Sequence, residues 1–318
     1  MSPVISVVMP VYNAAKYLVA AIESVRRQSF SSWELLCVDD GSTDGSLEIV
    51  RNFATCEPRV RLIACPHRGI VATLNQGVEH CRGEFIARLD ADDLALPDRF
   101  QIQFDCLRSN PTLAMISGGY QTIDADDRVW KIQLPPSTPS EIREALHRSN
   151  CIAHSSVMIR RNVLERFSGP YRSHFPLAED YDLWLRIVRE YDIGSCPDII
   201  LQYRRDFATT KPERIVQQTL STLGAQLSHG FRMNGAPDRA TQWKELDEST
   251  LLNEGLSQSS LHASIRRVLL SEARLARRHG FKLQATRLIE FASRYHPKQE
   301  GFLPQLDFQW RRVRARFA

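Results

Sequence analysis

The 318-residue sequence predicts an α/β fold, a Rossmann-like mixed sheet flanked by helices, followed by a C-terminal helical region. Three observations predict it. The N-terminal part alternates β-branched runs with amphipathic stretches, the pattern of βαβ units around a mainly parallel sheet. After Asn110-Pro111, strand-like runs follow one another without long helices between them, so the sheet becomes mixed. From Lys211 on, only helix-period patterning is left, which sets a boundary near 209–211 and two domains, 1–210 and 211–318.

Taken in order, residues 5–9 form a short β-branched strand closed by Pro10. Residues 16–28 are helical, with Tyr17, Leu18, Ala21, Ile22 and Val25 on one stripe. Residues 34–38 are the second strand, and the glycine-bounded 41–45 is a turn. Residues 60–64, 70–79 and 84–89 continue strand, helix, strand, and Pro97 opens another helix, where its missing N–H costs little. Segments 113–117, 120–123, 129–133, 155–160 and 199–204 read as strands. Segment 179–191 is helical because Trp184, Ile187, Val188 and Tyr191 fall at i, i+3, i+4 and i+7. Segment 259–279 carries an apolar stripe through Ile265, Val268, Leu269 and Ala276 and ends at Gly280 as a C-cap. Leu288, Phe291, Ala292 and Tyr295 give the next helix its face, and Pro297 stops it. The pair resembles a helical hairpin of the tetratricopeptide kind.

Composition narrows the class. At 43% hydrophobic and 25% charged residues the chain matches ordinary soluble proteins, and no apolar run reaches the length of a bilayer span. The opening MSPVISVVMP lacks a basic region and a cleavage site and reads as a first strand. Cys37, Cys56, Cys65, Cys81, Cys106, Cys151 and Cys196 form no CxxC pair, so reduced thiols, a cytoplasmic location and no structural zinc are expected. The net charge of +4 is uneven: Lys211 onward holds 18 Lys and Arg against 10 Asp and Glu, the rest 23 against 27. A basic C-terminal region ending in FQWRRVRARF suits an anionic membrane surface and a peripheral location, although a solvated helical face carries the same charge equally well. Nucleic acid is not expected as a partner, because no recognition fold or aromatic-basic platform accompanies the charge.

Two acidic clusters end predicted strands. Asp90-Ala91-Asp92-Asp93 follows the strand at 84–89, and Asp39-Asp40-Gly41-Ser42-Thr43-Asp44 follows the strand at 34–38. Ligands of open α/β sheets collect beyond the carboxyl ends of the strands. Clustered carboxylates need a positive charge among them, which a hydrated Mg²⁺ or Mn²⁺ carrying a diphosphate supplies. A DxD turn presents oxygens to one hard cation, although acidic loops are common without one. Asp40 has the chemistry to accept from a uracil-type imide N–H or a ribose hydroxyl, and Asp44 suits a turn before the helix at Ser46. Pro10-Val11-Tyr12-Asn13 closes the first strand at the same edge, where Tyr12 offers a ring for stacking and Asn13 a loop anchor.

In order and spacing, SVVMPVYNAAKYLVAAIESVRRQSFSSWELLCVDDGSTDGS and GIVATLNQGVEHCRGEFIARLDADDLALPDRF resemble the family 2 glycosyltransferases of the GT-A fold, over residues 4–206. The resemblance implies transfer of a sugar, with inversion, from a nucleotide-diphosphate donor, a UDP-sugar by default, to an acceptor hydroxyl, with a divalent cation assisting. It implies that Tyr12 and Asp40, beside Pro10 and Asn13, hold the nucleoside. Asp90 and Asp92, flanking Ala91, would then serve the ribose, diphosphate and metal, with Asp92 the direct ligand. Ala178-Glu179-Asp180-Tyr181-Asp182-Leu183-Trp184 resembles the family's ED motif, which makes Asp180 the catalytic base; the same two acids would also complement a helix dipole. His154 falls in a segment near the diphosphate and is either a phosphate or metal contact or a buried, hydrogen-bonded histidine. Arg88 and Arg68 are further phosphate candidates, the alternative for both being surface or loop charges.

The chain departs from the family at two places. Some relatives carry a basic residue where this chain has Ala72-Thr73, and the QxxRW motif of processive members is here Gln202-Tyr203-Arg204-Arg205-Asp206. The second departure implies transfer of one sugar rather than polymerisation. A saccharide or lipid-linked acceptor in cell-surface polysaccharide synthesis is expected. The rival readings are a sugar-phosphate nucleotidyltransferase, which normally opens with a Gly-rich loop, and an inactive GT-A scaffold at the membrane.

Overall fold

The structure is a computed structural model and describes residues 2–295. The first stretch runs β1 (Ile5–Val11), α1 (Ala15–Arg26), β2 (Trp33–Asp39), α2 (Ser46–Cys56), β3 (Val60–Ala64), α3 (Ile70–Glu79) and β4 (Phe85–Arg88). It continues through β5 (Leu94–Ala95), α4 (Arg99–Ser109), β6 (Leu113–Ile123), β7 (Val129–Gln133), α5 (Pro139–Arg148), β8 (Met158–Arg160), α6 (Arg161–Leu164), α7 (Glu179–Glu190) and β9 (Asp192–Arg204). Then follow α8 (Pro212–Met233), α9 (Glu248–Asn253), α10 (Gln258–Arg278) and α11 (Lys282–Ala292).

Nine strands form one sheet in the order β3-β2-β1-β4-β8-β6-β9-β5, with β7 on β6. Strands β1 to β4 are parallel; β8 enters antiparallel to both β4 and β6, which makes the sheet mixed as expected. Every residue of β1 and β2 is buried, which is why these strands read as unbroken apolar runs. Helix α1 covers them with Leu18, Ala21, Ile22 and Val25, each fully buried and each stabilising the fold by about 1.5–3 kcal/mol where the side chain is large.

Chain contacts divide the molecule into two compact units, Met1–Arg172 with Arg186–Arg205, and Ser173–Leu185 with the chain from Asp206 on. In the second unit α8 is buried along most of its length from Thr219 to Phe231. Gly224 admits close packing there, since a Cβ would lie 2.7 Å from Leu246 Cδ2. Helices α10 and α11 pack as a hairpin. Gly280, at φ +86°, makes the turn: its N–H donates to the Arg277 carbonyl and that of Phe281 to the Ala276 carbonyl, a Schellman closure.

Several elements differ from the sequence reading. The runs 113–117 and 120–123 are one strand, because Gly118 and Gly119 mark close approach rather than a break. A Cβ at 118 would lie 2.6 Å from Cys196 Sγ on β9. The strand expected at 155–160 starts only at Met158, since 154–156 form a 3-10 turn. The last strand begins at Asp192 rather than 199. Helix α5, missed in the sequence, is announced by a capping box in which Thr138 Oγ1 accepts from Glu141 N–H and the Glu141 carboxylate accepts from Thr138 N–H. Pro297 and the basic segment 308–317 lie outside the described residues.

Candidate active site

The chain steps from β1 to β2 to β3 on one side and crosses to β4 on the other, so the strand order reverses between β1 and β4 while the two strands stay parallel. That is where an open α/β sheet leaves a crevice at its carboxyl edge. The β1–β4 ladder ends at Val8↔Arg88, while β1 stays paired with β2 through Val11↔Asp39. Pro10, which lacks an N–H, therefore falls where β1 has already lost its β4 neighbour.

The turn after β4 collects carboxylates. Asp90, Asp92 and Asp93 bring ligand oxygens within 4.8 Å of one another, with Ala91 buried between the first two. Arg88, 4% exposed, lies 2.5 Å from Asp90 Oδ2. Burial alone would lower its pKa, but the charge and hydrogen bond of Asp90 outweigh that and hold the guanidinium firmly protonated. Ser155 Oγ ties the pair together: it accepts from Arg88 Nη1 (2.8 Å) and Asp90 N–H (3.0 Å) and donates to Asp90 Oδ2 (3.1 Å). Among the described residues neither Asp92 nor Asp93 has an ion-pair partner of this kind. Burial, then the charge of Asp90, pushes the Asp92 carboxyl up to about 6. Burial, then Asp92 and Asp90, raises Asp93 well above the carboxylate range. Asp93 Oδ1 accepts from Arg204 N–H at 2.7 Å, and among the described residues its Oδ2 meets no donor. Below the turn, the fully buried Arg99 guanidinium donates to the carbonyls of Arg88 and Val157.

An all-oxygen donor set short of positive charge is what a hard divalent cation requires, so these residues fit one. His154 stands on the same side. Burial, then Arg88, pulls its pKa well below 6.5, which keeps the imidazole neutral. Its Nε2 lies 2.9 Å from the Tyr171 hydroxyl, and Asn75 clasps the Tyr171 backbone through Nδ2–H to its carbonyl (2.8 Å) and Oδ1 to its N–H (3.0 Å).

A second group forms beyond β1 and β2. Asn13, at φ +49°, accepts from Thr43 N–H on Oδ1 at 2.8 Å and donates its own N–H to Ser42 Oγ, locking the two loops together. Asp44 accepts from Ala15 N–H and from the N–H and hydroxyl of Ser46, which joins the starts of α1 and α2. Asp40, 3% exposed, accepts from Arg68 N–H on Oδ1 (2.7 Å) and Gly69 N–H on Oδ2 (2.9 Å). Tyr12 is 50% exposed and stacks on His67. The Arg68 side chain turns to Gln76 Oε1.

The first unit thus brings Arg88, Asp90, Asp92 and His154 to one side of the sheet edge and Pro10, Tyr12, Asn13 and Asp40 to another. Asp180 belongs to the second unit, in the acid-rich first turn of α7, where its Oδ1 accepts from Tyr181 N–H at 2.6 Å. Sequence reasoning named Asp93 in the DADD cluster without giving it a role of its own, and it passed over Ser155 and His67, which carry no local signal.

A mixed sheet with a DxD turn at the carboxyl edge of its switch point is the arrangement of the GT-A class. The family model described as Glycosyl transferase family 2 matches residues 6–167, just over half of the chain, and the chain belongs to that family. It is 31% identical over 204 residues to the UDP-Glc:alpha-D-GlcNAc-diphosphoundecaprenol beta-1,3-glucosyltransferase WfgD of Escherichia coli, covering 63% of this chain and 76% of that one. It is 31% identical over 196 residues to the O-antigen biosynthesis glycosyltransferase WbnJ of Escherichia coli, covering 61% and 74%. Among solved structures, the mannosyltransferase PcManGT of Pyrobaculum calidifontis, in complex with GDP-Man and Mn²⁺, shares the fold at TM-score 0.57 and 18% identity, over 94% of this chain and 89% of that one. The protein is a family 2 glycosyltransferase with a GT-A sheet, and its relatives serve glycan synthesis. Among the described residues no helix is long and apolar enough to cross a membrane.

Proposed function

We propose that the protein moves one sugar, with inversion, from a nucleotide-diphosphate donor to an acceptor hydroxyl in cell-surface polysaccharide or lipid-linked glycan synthesis. The observation that carries this reading is the group of three crowded carboxylates after β4, short of positive charge beside an Arg88 already committed to Asp90. A UDP-sugar donor and a lipid-diphosphate-linked acceptor are supported by the name of the relative WfgD.

Asp92 and Asp90 would hold the divalent cation, Mn²⁺ or Mg²⁺, with Ala91 keeping the space between them clear. When bound, the cation supplies Lewis-acid stabilisation of the departing diphosphate. Arg88 and the neutral His154 line the diphosphate side, and Pro10, Tyr12, Asn13 and Asp40 the nucleoside side. Asp180 takes the proton of the acceptor hydroxyl as that oxygen attacks the anomeric carbon, and the C–O bond electrons leave with the nucleoside diphosphate. The start of a twelve-residue helix suits this base, since the helix dipole favours its ionised form. Asp180→Asn is expected to lower kcat by about 10²–10⁴-fold with the donor KM little changed. Wild-type turnover in that variant would remove Asp180 from the role.

One observation in the second unit extends the reading to a peripheral contact with an anionic membrane. Helix α10 buries Leu261, Ile265, Leu269, Ala273 and Ala276, and on the opposite face exposes Arg267, Arg274 and Arg278. With Lys282 and Arg287 of α11 these are five cations without a carboxylate partner among the described residues, and Leu283 between them is 68% exposed. Basic residues interleaved with exposed apolar ones suit acidic lipid headgroups. Flotation with phosphatidylglycerol vesicles is expected to carry the protein upward at low salt; equal recovery with neutral vesicles would remove the contact.

A further inference from the structure

We infer that the side chain of His67 occupies the place of the donor's nucleobase and must swing out before the donor binds. The inference rests on the donor reading above, which gives the base two contacts, a stacking face on Tyr12 and an acceptor at Asp40 for a ring N–H.

In the structure His67 makes both of these contacts itself. Its ring centroid lies 4.4 Å from that of Tyr12 with the planes 22° apart. Its Nδ1 is 2.9 Å from Asp40 Oδ2 and 3.1 Å from the Asp40 carbonyl oxygen. Both neighbours are acceptors, so Nδ1 carries the proton. The imidazole therefore offers Asp40 the same in-plane N–H that a pyrimidine imide would. At a 4.4 Å centroid separation the two rings are already in stacking contact, so no third ring fits between them. A base and His67 cannot share that face of Tyr12.

The arrangement is built to let the ring go while the chain stays. The backbone of 67–69 is anchored, because Asp40 accepts from the N–H groups of Arg68 and Gly69. Gly41, at φ +74°, passes beneath it so closely that a Cβ would lie 2.9 Å from His67 N. The His67 side chain itself is 57% exposed, so side-chain rotation alone frees it. Asp40 then keeps its two backbone donors and offers the vacated position on Oδ2. A base with a ring N–H on its pairing edge replaces like for like what His67 gave up, whereas one without it has only an exocyclic amino donor to offer. Uracil, thymine and guanine have one; cytosine and adenine do not. His67 therefore acts as a placeholder that raises the apparent Kd in inverse proportion to the fraction of time it is swung out, and it selects among bases.

Calorimetric titration of UDP, GDP, dTDP and CDP, with Mn²⁺ present, into wild type, His67→Ala and Tyr12→Ala decides the matter. His67→Ala is expected to bind one of the first three about 3- to 10-fold more tightly than wild type, with CDP weak throughout and Tyr12→Ala weakened. Binding by His67→Ala alone would support the inference in its strongest form. Nucleotide binding by wild type that is equal or weaker in His67→Ala would overturn the placeholder and leave the donor reading standing. No binding of any nucleotide to any of the three proteins would overturn the donor reading and the placeholder with it. An unchanged melting transition in both variants ensures that the comparison reports the site.

Discussion

The parallel strands carry carboxylates at both ends, and Glu34 at the amino end of β2 and the acidic turn after β4 are opposite cases. At the amino end, Glu34 of β2 is 4% exposed and fully supplied. Its Oε1 accepts from Ser6 Oγ at 2.7 Å and Arg82 N–H at 2.8 Å, and its Oε2 faces the Arg61 guanidinium at 2.6 Å. Ser6 Oγ passes the network on by accepting from Gly83 N–H. At the carboxyl end, three carboxylates crowd within 4.8 Å and the adjacent arginine is spoken for by one of them. Asp93 is as buried as Glu34, but of the two only Glu34 has, among the described residues, a donor for each of its oxygens. An acid with its donors in place ties loops to strands, whereas acids left short of positive charge keep a repulsion that a bound cation relieves.

The contrast breaks or holds on a pair of truncations. Asp92→Ala is expected to lower Mn²⁺-dependent nucleotide affinity by about 100-fold or more, beyond the 10–100-fold typical of losing a group that only supports a ligand, while the melting transition stays in place. Glu34→Ala should do the reverse. It strips acceptors from Ser6, Arg82 and Arg61, costs about 2–4 kcal/mol of unfolding free energy in a denaturant titration, and leaves nucleotide affinity of the folded protein unchanged. If Glu34→Ala abolished nucleotide binding without loss of stability, the division into structural and functional acids would be wrong.

The same division explains what was legible in the sequence. Apolar runs closed by Pro10 in β1 and by acids in β2 and β4 located these strands and the site edge, because strands buried on both faces must be continuously apolar and their ends lie at the carboxyl edge of the sheet. The DADD and VDDGSTD motifs drew attention to the carboxylates, but not to which of them were already satisfied. That depends on donors remote in sequence, such as Arg204 for Asp93 and the 68–69 backbone for Asp40. Ser155 and His67 were invisible for the same reason, since each acts through partners 27 or more residues away. Gly118 and Gly119 misled as breakers because their purpose, close approach to β9 and to the residue after β7, is tertiary. Helix α8, buried from Thr219 to Phe231, offers less one-sided patterning than a surface helix and was not separately assigned.

The supply of donors also sets the sign of two pH dependences, the smallest effects expected. In metal-free protein Asp92 titrates near 6 when folded and near 3.8 when unfolded. The native state therefore holds the extra proton between those values, and stability falls as pH rises from about 4 to 6. The full shift would correspond to about 3 kcal/mol, and solvent screening at this partly exposed group reduces that to about 1–2 kcal/mol. With EDTA present, Asp92→Asn should lessen this decline, leaving the share that the raised Asp93 carries. Glu57, at the end of α2, is the opposite case: its hydrogen bonds from Arg59, at 2.8 and 2.9 Å, hold it down at about 2. Its contribution is complete above 4.5 and is lost as pH falls toward 2, and a pair so near solvent supplies no more than about 1 kcal/mol. Urea titrations from pH 2 to 7 on wild type, Asp92→Asn and Glu57→Gln should show the two slopes with opposite signs. A rise in metal-free stability with pH that Asp92→Asn removes would mean that the crowded acids are already neutralised within the protein, and the case for a cation at that turn would fail.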